Sequence, residues 1–258
     1  MVVNMAISGS GITKFYRYVK KLVPMLGWVN TGFLVLSRLL ASVSSNNIRI
    51  FKYQLVAQPV NNKPFLSPTR GRKIVIRQID MRDPAISYFP RPLSVIQQRF
   101  KDGAICLSAF KDGAFVGFIW LMLGPYQEDE VRADYIPLPA KRAVWDFDVY
   151  VHPDYRLGFT FLRLWDEANQ LLSKNGFEWS CSRISSFSAR SSKSHAHLGT
   201  IILGQAVFIK LVNWQVTFAS IKPYIHISLS PDSFPKFHLE TTSLNNPYSK
   251  KDSDVVTD

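Results

Sequence analysis

Residues 143–151 (AVWDFDVYV) form an unbroken β-forming run that ends at His152-Pro153, and by residue 159 the pattern has become helical. Phe161, Leu164, Trp165, Ala168, Leu171 and Leu172 recur on one helical face over 159–174, and Gly176 stops the run. A strand that passes through a short Gly158-containing turn into an amphipathic helix has two apolar faces to bury. It therefore needs a sheet with a helix laid over it.

The flanking sequence supplies that sheet. Strands are expected at 73–79, 104–110, 114–123, 177–184, 201–211 and 213–220, with helices at 92–101 and 189–198. Lys111-Asp112-Gly113 joins two apolar strands and suits a tight hairpin, because Gly tolerates positive φ. Ile48–Val56 alternates as a strand added before this core, and 58–72, with its prolines, reads as a linker. The polar stretch 124–142 reads as a loop carrying Glu128, Asp129 and Glu130. The expected order β-β-α-β-β-β-α-β-α-β-β gives an α/β (α+β) fold, a mixed, mostly antiparallel central sheet flanked by helices. No Gly-rich dinucleotide fingerprint follows a strand, so a doubly wound dinucleotide fold is not implied. The expected division is a helical extension over 1–47, the added strand and linker over 48–72, the main sheet-and-helix domain over 73–240 and a disordered tail over 241–258.

The net charge of +12 favours anionic partners: nucleic acid, anionic lipid or a phosphate-rich cofactor. The cations are scattered rather than striped, so nucleic acid is not expected as a partner. Cys106 and Cys181 lie far apart in apolar runs, with neither disulfide-framework nor metal-ligand spacing, and read as small buried residues of a reduced, cytoplasmic protein. No metal site is expected.

At the N-terminus, Lys20-Lys21 precede an apolar run from Leu22 to Val43 that Pro24, Asn30, Thr31 and Arg38 interrupt. The pattern predicts helical pieces over 12–23 and 31–43 rather than one spanning helix. They either pack on the domain or lie on a membrane surface as a peripheral contact.

The turn after residue 151 bears on chemistry. Backbone N–H groups exposed at the positive end of a helix dipole make a site for phosphate or pyrophosphate. Gly158 would let the backbone approach the anion, and Arg156 adds a cation. Val151, Pro153, Tyr155, Arg156, Gly158 and Phe161 resemble the acyl-CoA motif of the GNAT superfamily of N-acyltransferases, V-x-P-x-x-R/Q-x-x-G-x-G/A, in its bacterial form. The run 187–199 (FSARSSKSHAHLG) resembles a second signature, N-x-x-S/A-x-x-x-Y-x-x-L-G, with Ser188, Ser191 and His195 at the Asn, small and Tyr positions. Gly158 comes one residue early when the motif is aligned on Arg156, and Ser and His replace the usual Asn and Tyr.

The resemblance, over about 74–220, implies a GNAT-like fold and transfer of an acyl group, acetyl foremost, from acetyl-CoA or another acyl-CoA to a primary amine. It implies that the thioester lies where 143–151 and 177–184 splay apart, with a backbone N–H among Val149, Tyr150 and Val151 as oxyanion donor. The backbone of Arg156, Leu157, Gly158, Phe159, Thr160 and Phe161 would hold the pyrophosphate, with Ser188 and Ser191 as further cofactor contacts. Asp146 or Asp148, two apart and so expected on one strand face, is a candidate base, and His195 a candidate proton donor to the departing thiolate. Glu128, Asp129 and Glu130 form either a cation-attracting acceptor loop or a solvated one. A non-catalytic acyl-CoA-binding module is the alternative function, and a membrane-peripheral protein a third.

Overall fold

The computed structural model describes residues 9–248. Along the chain run α1 (Gly9–Val43), β1 (Ile48–Pro59), β2 (Ile74–Ile79), α2 (Leu93–Lys101), β3 (Ile105–Lys111), β4 (Ala114–Met122), β5 (Tyr126–Gln127), β6 (Asp134–Leu138), β7 (Ala143–Val151), α3 (Thr160–Lys174), β8 (Trp179–Ser185), α4 (Ala189–Ala196), β9 (Ile201–Leu211), β10 (Trp214–Ala219), β11 (Ile225–Ser228) and β12 (Lys236–Glu240). Contacts gather the chain into two compact units. Among the described residues, one comprises Pro59–Pro125, Pro137–Ser182 and 240–248; the other comprises 9–58, Tyr126–Ile136 and Arg183–Leu239.

In the first unit the strands lie in the order β8-β7-β4-β3-β2, antiparallel except for the parallel pair β7–β8. The β3–β4 hairpin turns through Asp112 and Gly113, both left-handed (φ 50 and 80), as the Lys-Asp-Gly sequence predicts. Helix α3 packs on β2, β3 and β4 and buries Leu164, Trp165, Ala168 and Leu172. Trp120, Trp145, Trp165 and Trp179 are all fully buried in this unit. Burying an aromatic of that size is worth about 1.5–3 kcal/mol or more relative to leaving it in water. On α2, Phe100 meets Trp120 edge-on at 4.8 Å.

The segment after β12 is not a loose tail as far as Tyr248. Thr241 donates to the Leu138 carbonyl at 2.7 Å, and the Asn246 amide donates to the Glu178 carbonyl at 2.8 Å, both residues being buried. The remainder of the expected tail, 249–258, lies outside the described residues.

In the second unit the order is β11-β10-β9-β1, antiparallel throughout, with β1 registered to β9 from Ile48↔Leu211 to Ala57↔Ile201. Two strands of a small sheet, β12-β6-β5, namely β5 and β6, fall in the stretch 124–142 expected to be a loop. Its short strands, like β11 and β12, lack the length that makes periodicity visible. The rings of Tyr53, Phe208, Phe237 and Tyr135 meet in series at 5.7, 6.1 and 5.8 Å to form this unit's core.

Helix α1 consists of two limbs, as the broken apolar run predicts, but they meet at a single residue rather than across a gap between 23 and 31. It runs through Pro24 and Asn30 and breaks at one residue, Gly27 (φ 76, ψ 166). The limbs bend back at that point: the Arg38 guanidinium lies 5.2 Å from the Tyr18 ring centre. Twenty residues of straight helix would separate the two by roughly 30 Å.

Candidate functional site

The strand β7 carries the centre of the site. Its parallel ladder with β8 runs from Ala143↔Trp179 to Trp145↔Cys181, and Asp146 is the first residue beyond it. On its other edge, the register with β4 passes from Trp120↔Phe147 to Phe118↔Tyr150. Asp148 and Val149 together therefore oppose Ile119 alone, and Asp148 takes up the left-handed region at φ 48. This is a β-bulge, which leaves an extra residue out of the ladder and re-aims side chains.

The bulge overturns the expectation that Asp146 and Asp148 share a face. Asp146 accepts a hydrogen bond from the Ser180 hydroxyl at 2.7 Å. It is fully buried, and burial pushes its carboxyl up to about 7 despite that hydroxyl. Asp148 instead turns to the α2 side. Arg91 Nε donates to it at 2.8 Å and Arg99 Nη1 at 2.5 Å. The Arg99 guanidinium also lies over Phe147 and Trp120, at 5.1 and 5.5 Å from the ring centres. The two carboxyls thus have opposite environments: one apolar and easily protonated, one clamped by two arginines.

Beyond Val151 the chain makes a one-turn 3-10 segment, Pro153–Tyr155, before α3. Helix α3 begins after Phe159 with no side-chain cap, so the first-turn N–H groups of Thr160 and Phe161 project from the dipole's positive end. The Thr160 hydroxyl is buried and lacks a partner among the described residues. Arg156 is folded back, its Nε donating to the Val151 carbonyl at 3.1 Å, which fixes the turn to the strand's end. Leu157 is fully exposed, and Phe161 packs edge-on to Trp165 at 6.4 Å. Gly158 has ordinary negative φ, and a Cβ there would stand 3.4 Å from the Tyr155 carbonyl. Its smallness clears space outside the turn rather than permitting a special backbone.

Gly117 is different: a Cβ there would fall 2.5 Å from the Tyr150 carbonyl, so β4 comes against the bulged end of β7 only because this residue has no side chain. Against the α3 turn opens a cavity of about 380 Å³ that Arg72, Lys73, Lys111, Tyr155, Gly158 and Thr160 help to line. Uncapped amides and three cations, against the single carboxylate of Asp154, line one recess and fit a diphosphate. Arg72, Lys73 and Lys111 were not among the expected site residues. In sequence they are three of many scattered cations, and only the fold brings them to α3.

Ser188, Ser191 and His195 lie in the other unit. The Ser188 side chain accepts from the Ser191 N–H at 3.3 Å, and so caps α4. His195 is buried, Nδ1 meets the Gln58 side-chain amide oxygen Oε1 at 3.2 Å, and burial lowers its pKa to about 4. A departing thiolate needs an acid such as imidazolium, which burial keeps His195 from becoming at neutral pH. Of the expected acidic loop, Asp129 and Glu130 are exposed, and Glu128 alone is withdrawn from solvent. Glu128 is buried and receives two hydrogen bonds from Arg183, at 2.5 and 2.8 Å. Glu130 accepts from Arg183 at 3.1 Å and from the Tyr53 hydroxyl at 2.6 Å. Both cysteines are buried, and burial pushes the Cys106 thiol up to about 12 and the Cys181 thiol higher still, so neither is a ready nucleophile.

No protein-family model matches the sequence, and no curated protein matches it. Solved structures do resemble the chain. One is a functionally unknown conserved protein from Staphylococcus epidermidis, with a TM-score of 0.46 at 11% identity over 67% of this chain and 66% of that one. Another is a tandem GNAT protein from the clavulanic acid biosynthesis pathway, with a TM-score of 0.44 at 13% identity over 70% of this chain and 57% of that one. A third is a ribosomal-protein-alanine N-acetyltransferase from Brucella melitensis, with a TM-score of 0.32 at 19% identity over 47% and 89%. The chain spans less than two thirds of the length of the first two.

Proposed function

We propose that the chain is an acyl-CoA-dependent N-acyltransferase of the GNAT type, moving an acetyl group to a primary amine. The observation that carries this reading is the sequence of a bulged β7, a turn with exposed amides and an uncapped α3, backed by a cation-lined recess of diphosphate size. The α3 amides, Lys73 and Lys111 would hold the diphosphate of acetyl-CoA, which when bound supplies the activated thioester. A backbone N–H at the bulge, among Val149 to Val151, would donate to the oxygen that gains charge. Asp146, at the edge of the β7–β8 ladder and with a carboxyl near 7, has the proton affinity of a base working at neutral pH. Asp148, neutralised by two arginines, is better suited to holding the bulge in shape.

A second reading, a non-catalytic acyl-CoA-binding module, has its own support: His195 is buried and neutral, and Ser188 is occupied in capping. Release of free thiol from acetyl-CoA with a panel of primary amines separates the two. The enzyme reading expects amine-dependent release that Asp146→Asn reduces at least a hundredfold. Acetyl-CoA binding with no release for any amine favours the module.

A further inference from the structure

The second unit has a sheet face built inside out. Cross-strand partners share a face, so the registers align Lys52–Val207–Phe218–Ile225, Ile50–Ile209–Val216–Ile227 and Ile48–Leu211–Trp214 on one side. Every β9–β11 residue in these rows is apolar. Trp214, Phe218, Ile225 and Ile227 are nonetheless 57%, 45%, 64% and 56% exposed. The opposite side, which is buried, carries Gln215, Thr217 and Ser228. Ordinary patterning would place these the other way round.

The α1 hairpin stands on the β1 end of this same face: Asn30 accepts from Lys52 at 2.9 Å, and Ser37 exchanges hydrogen bonds with the backbone of Ile50. The hairpin leaves Trp214 and Phe218 of β10 and Ile225 and Ile227 of β11 exposed, with Val207, Ile209, Leu211 and Val216 half-buried beside them, and its own apex is exposed too. Met25, Trp28 and Val29, flanking the Gly27 break, are 62%, 76% and 65% accessible. Exposed apolar area on this scale marks a surface that something else covers.

Charge identifies what covers it. The first 79 residues contain twelve Lys and Arg and no Asp or Glu, whereas the remainder holds nineteen of each sign. Lys20 and Lys21 are exposed on the first limb, roughly 10 Å along the helix from the Gly27 apex. Residues 201–229 add Lys210 and Lys222 and no carboxylate. A protein partner matched to this face would have to supply acidic groups around an apolar centre. A bilayer of anionic lipid presents that arrangement everywhere, with headgroup charge outside and acyl chain about 5–10 Å in.

We propose that the Gly27 hairpin apex and the outer face of β9–β11 seat this protein on an anionic membrane surface, Trp28 and its neighbours entering the headgroup boundary. Residues Phe15–Val43 have the length and composition of a membrane span. Folding back at Gly27 makes them two limbs, each shorter than the roughly 20 residues that crossing requires. The proposal stands apart from acyl transfer and does not depend on it.

Flotation of the full chain with vesicles tests it, using phosphatidylcholine alone and an equal mixture with phosphatidylglycerol. The expectation is recovery with the anionic vesicles, falling as salt is raised. Trp28→Ser, and separately Ile225→Ser with Ile227→Ser, each reduce partitioning about tenfold or more while leaving the melting temperature unchanged, since these side chains are already in water. Equal recovery for the variants and the unaltered protein overturns the proposal. So does a self-association, measured by sedimentation equilibrium, that the same substitutions abolish in a chain indifferent to vesicles: the face would then cover a second copy.

Discussion

Replacing Asp146 with asparagine gives a stability effect whose pH dependence is set by burial. In the folded chain this carboxyl titrates at about 7, against 3.8 as its ordinary value. The folded state therefore holds a proton that the unfolded state has lost over that interval, and stability falls as pH rises through it. The full shift corresponds to roughly 4 kcal/mol at about 1.4 kcal/mol per unit. Between pH 5 and 8 the part realised is about 2–3 kcal/mol, the rest having been expressed below pH 5. The amide of the Asp146→Asn variant cannot titrate, and it keeps an oxygen to accept from Ser180. Urea unfolding of both proteins at several pH values between 5 and 8 isolates this residue, because other titrations cancel in the difference. The variant should gain about 2–3 kcal/mol on the unaltered protein from the acid to the alkaline end. A difference that stays constant with pH would refute the reasoning, since Asp146 would then be ionised throughout and hydrated or paired in a way the buried Ser180 site does not provide.

Gly117→Ala forces a Cβ into the Tyr150 carbonyl and should lower stability by about 2–3 kcal/mol in thermal unfolding, with any acyl-CoA binding weakened in parallel because the bulge is displaced. Glu128→Ala leaves the Arg183 guanidinium buried without its main partner. Chemical denaturation should register a loss of about 3–5 kcal/mol. His195, with its pKa lowered to about 4, favours the folded state only while neutral. Its contribution is present above about pH 6.5 and is lost, to roughly 3 kcal/mol, as pH falls toward 4. An imidazole NMR titration should find it unprotonated at pH 5.5, and a midpoint near 6.5 would contradict its burial against Gln58.

The long elements were legible because each carries many residues of one period. The run 143–151 coincides with β7, and the apolar face from Phe161 to Leu172 lies within α3. The short strands β5, β6, β11 and β12 were not, since two to five residues show no period and their neighbours lie far away in sequence. Strand alternation put Asp146 and Asp148 together, but a bulge is specified by what lies across the ladder, here Ile119 and Gly117, and leaves no local mark. Glu128 looked as exposed as its neighbours Asp129 and Glu130 because its counter-ion, Arg183, is 55 residues away. The exposed apolar face of β9–β11 was equally hidden. Alternation in 201–211 and 213–220 tells which residues share a side but not which side is covered.

The account stands most directly on whether the α3 turn takes the diphosphate of an acyl-CoA. Calorimetric titration with acetyl-CoA should give one site per chain. Its affinity should fall as salt is raised and drop about tenfold or more in Lys73→Ala with Lys111→Ala. Absence of heat together with an unchanged melting temperature at saturating acetyl-CoA, in the unaltered protein, would contradict it.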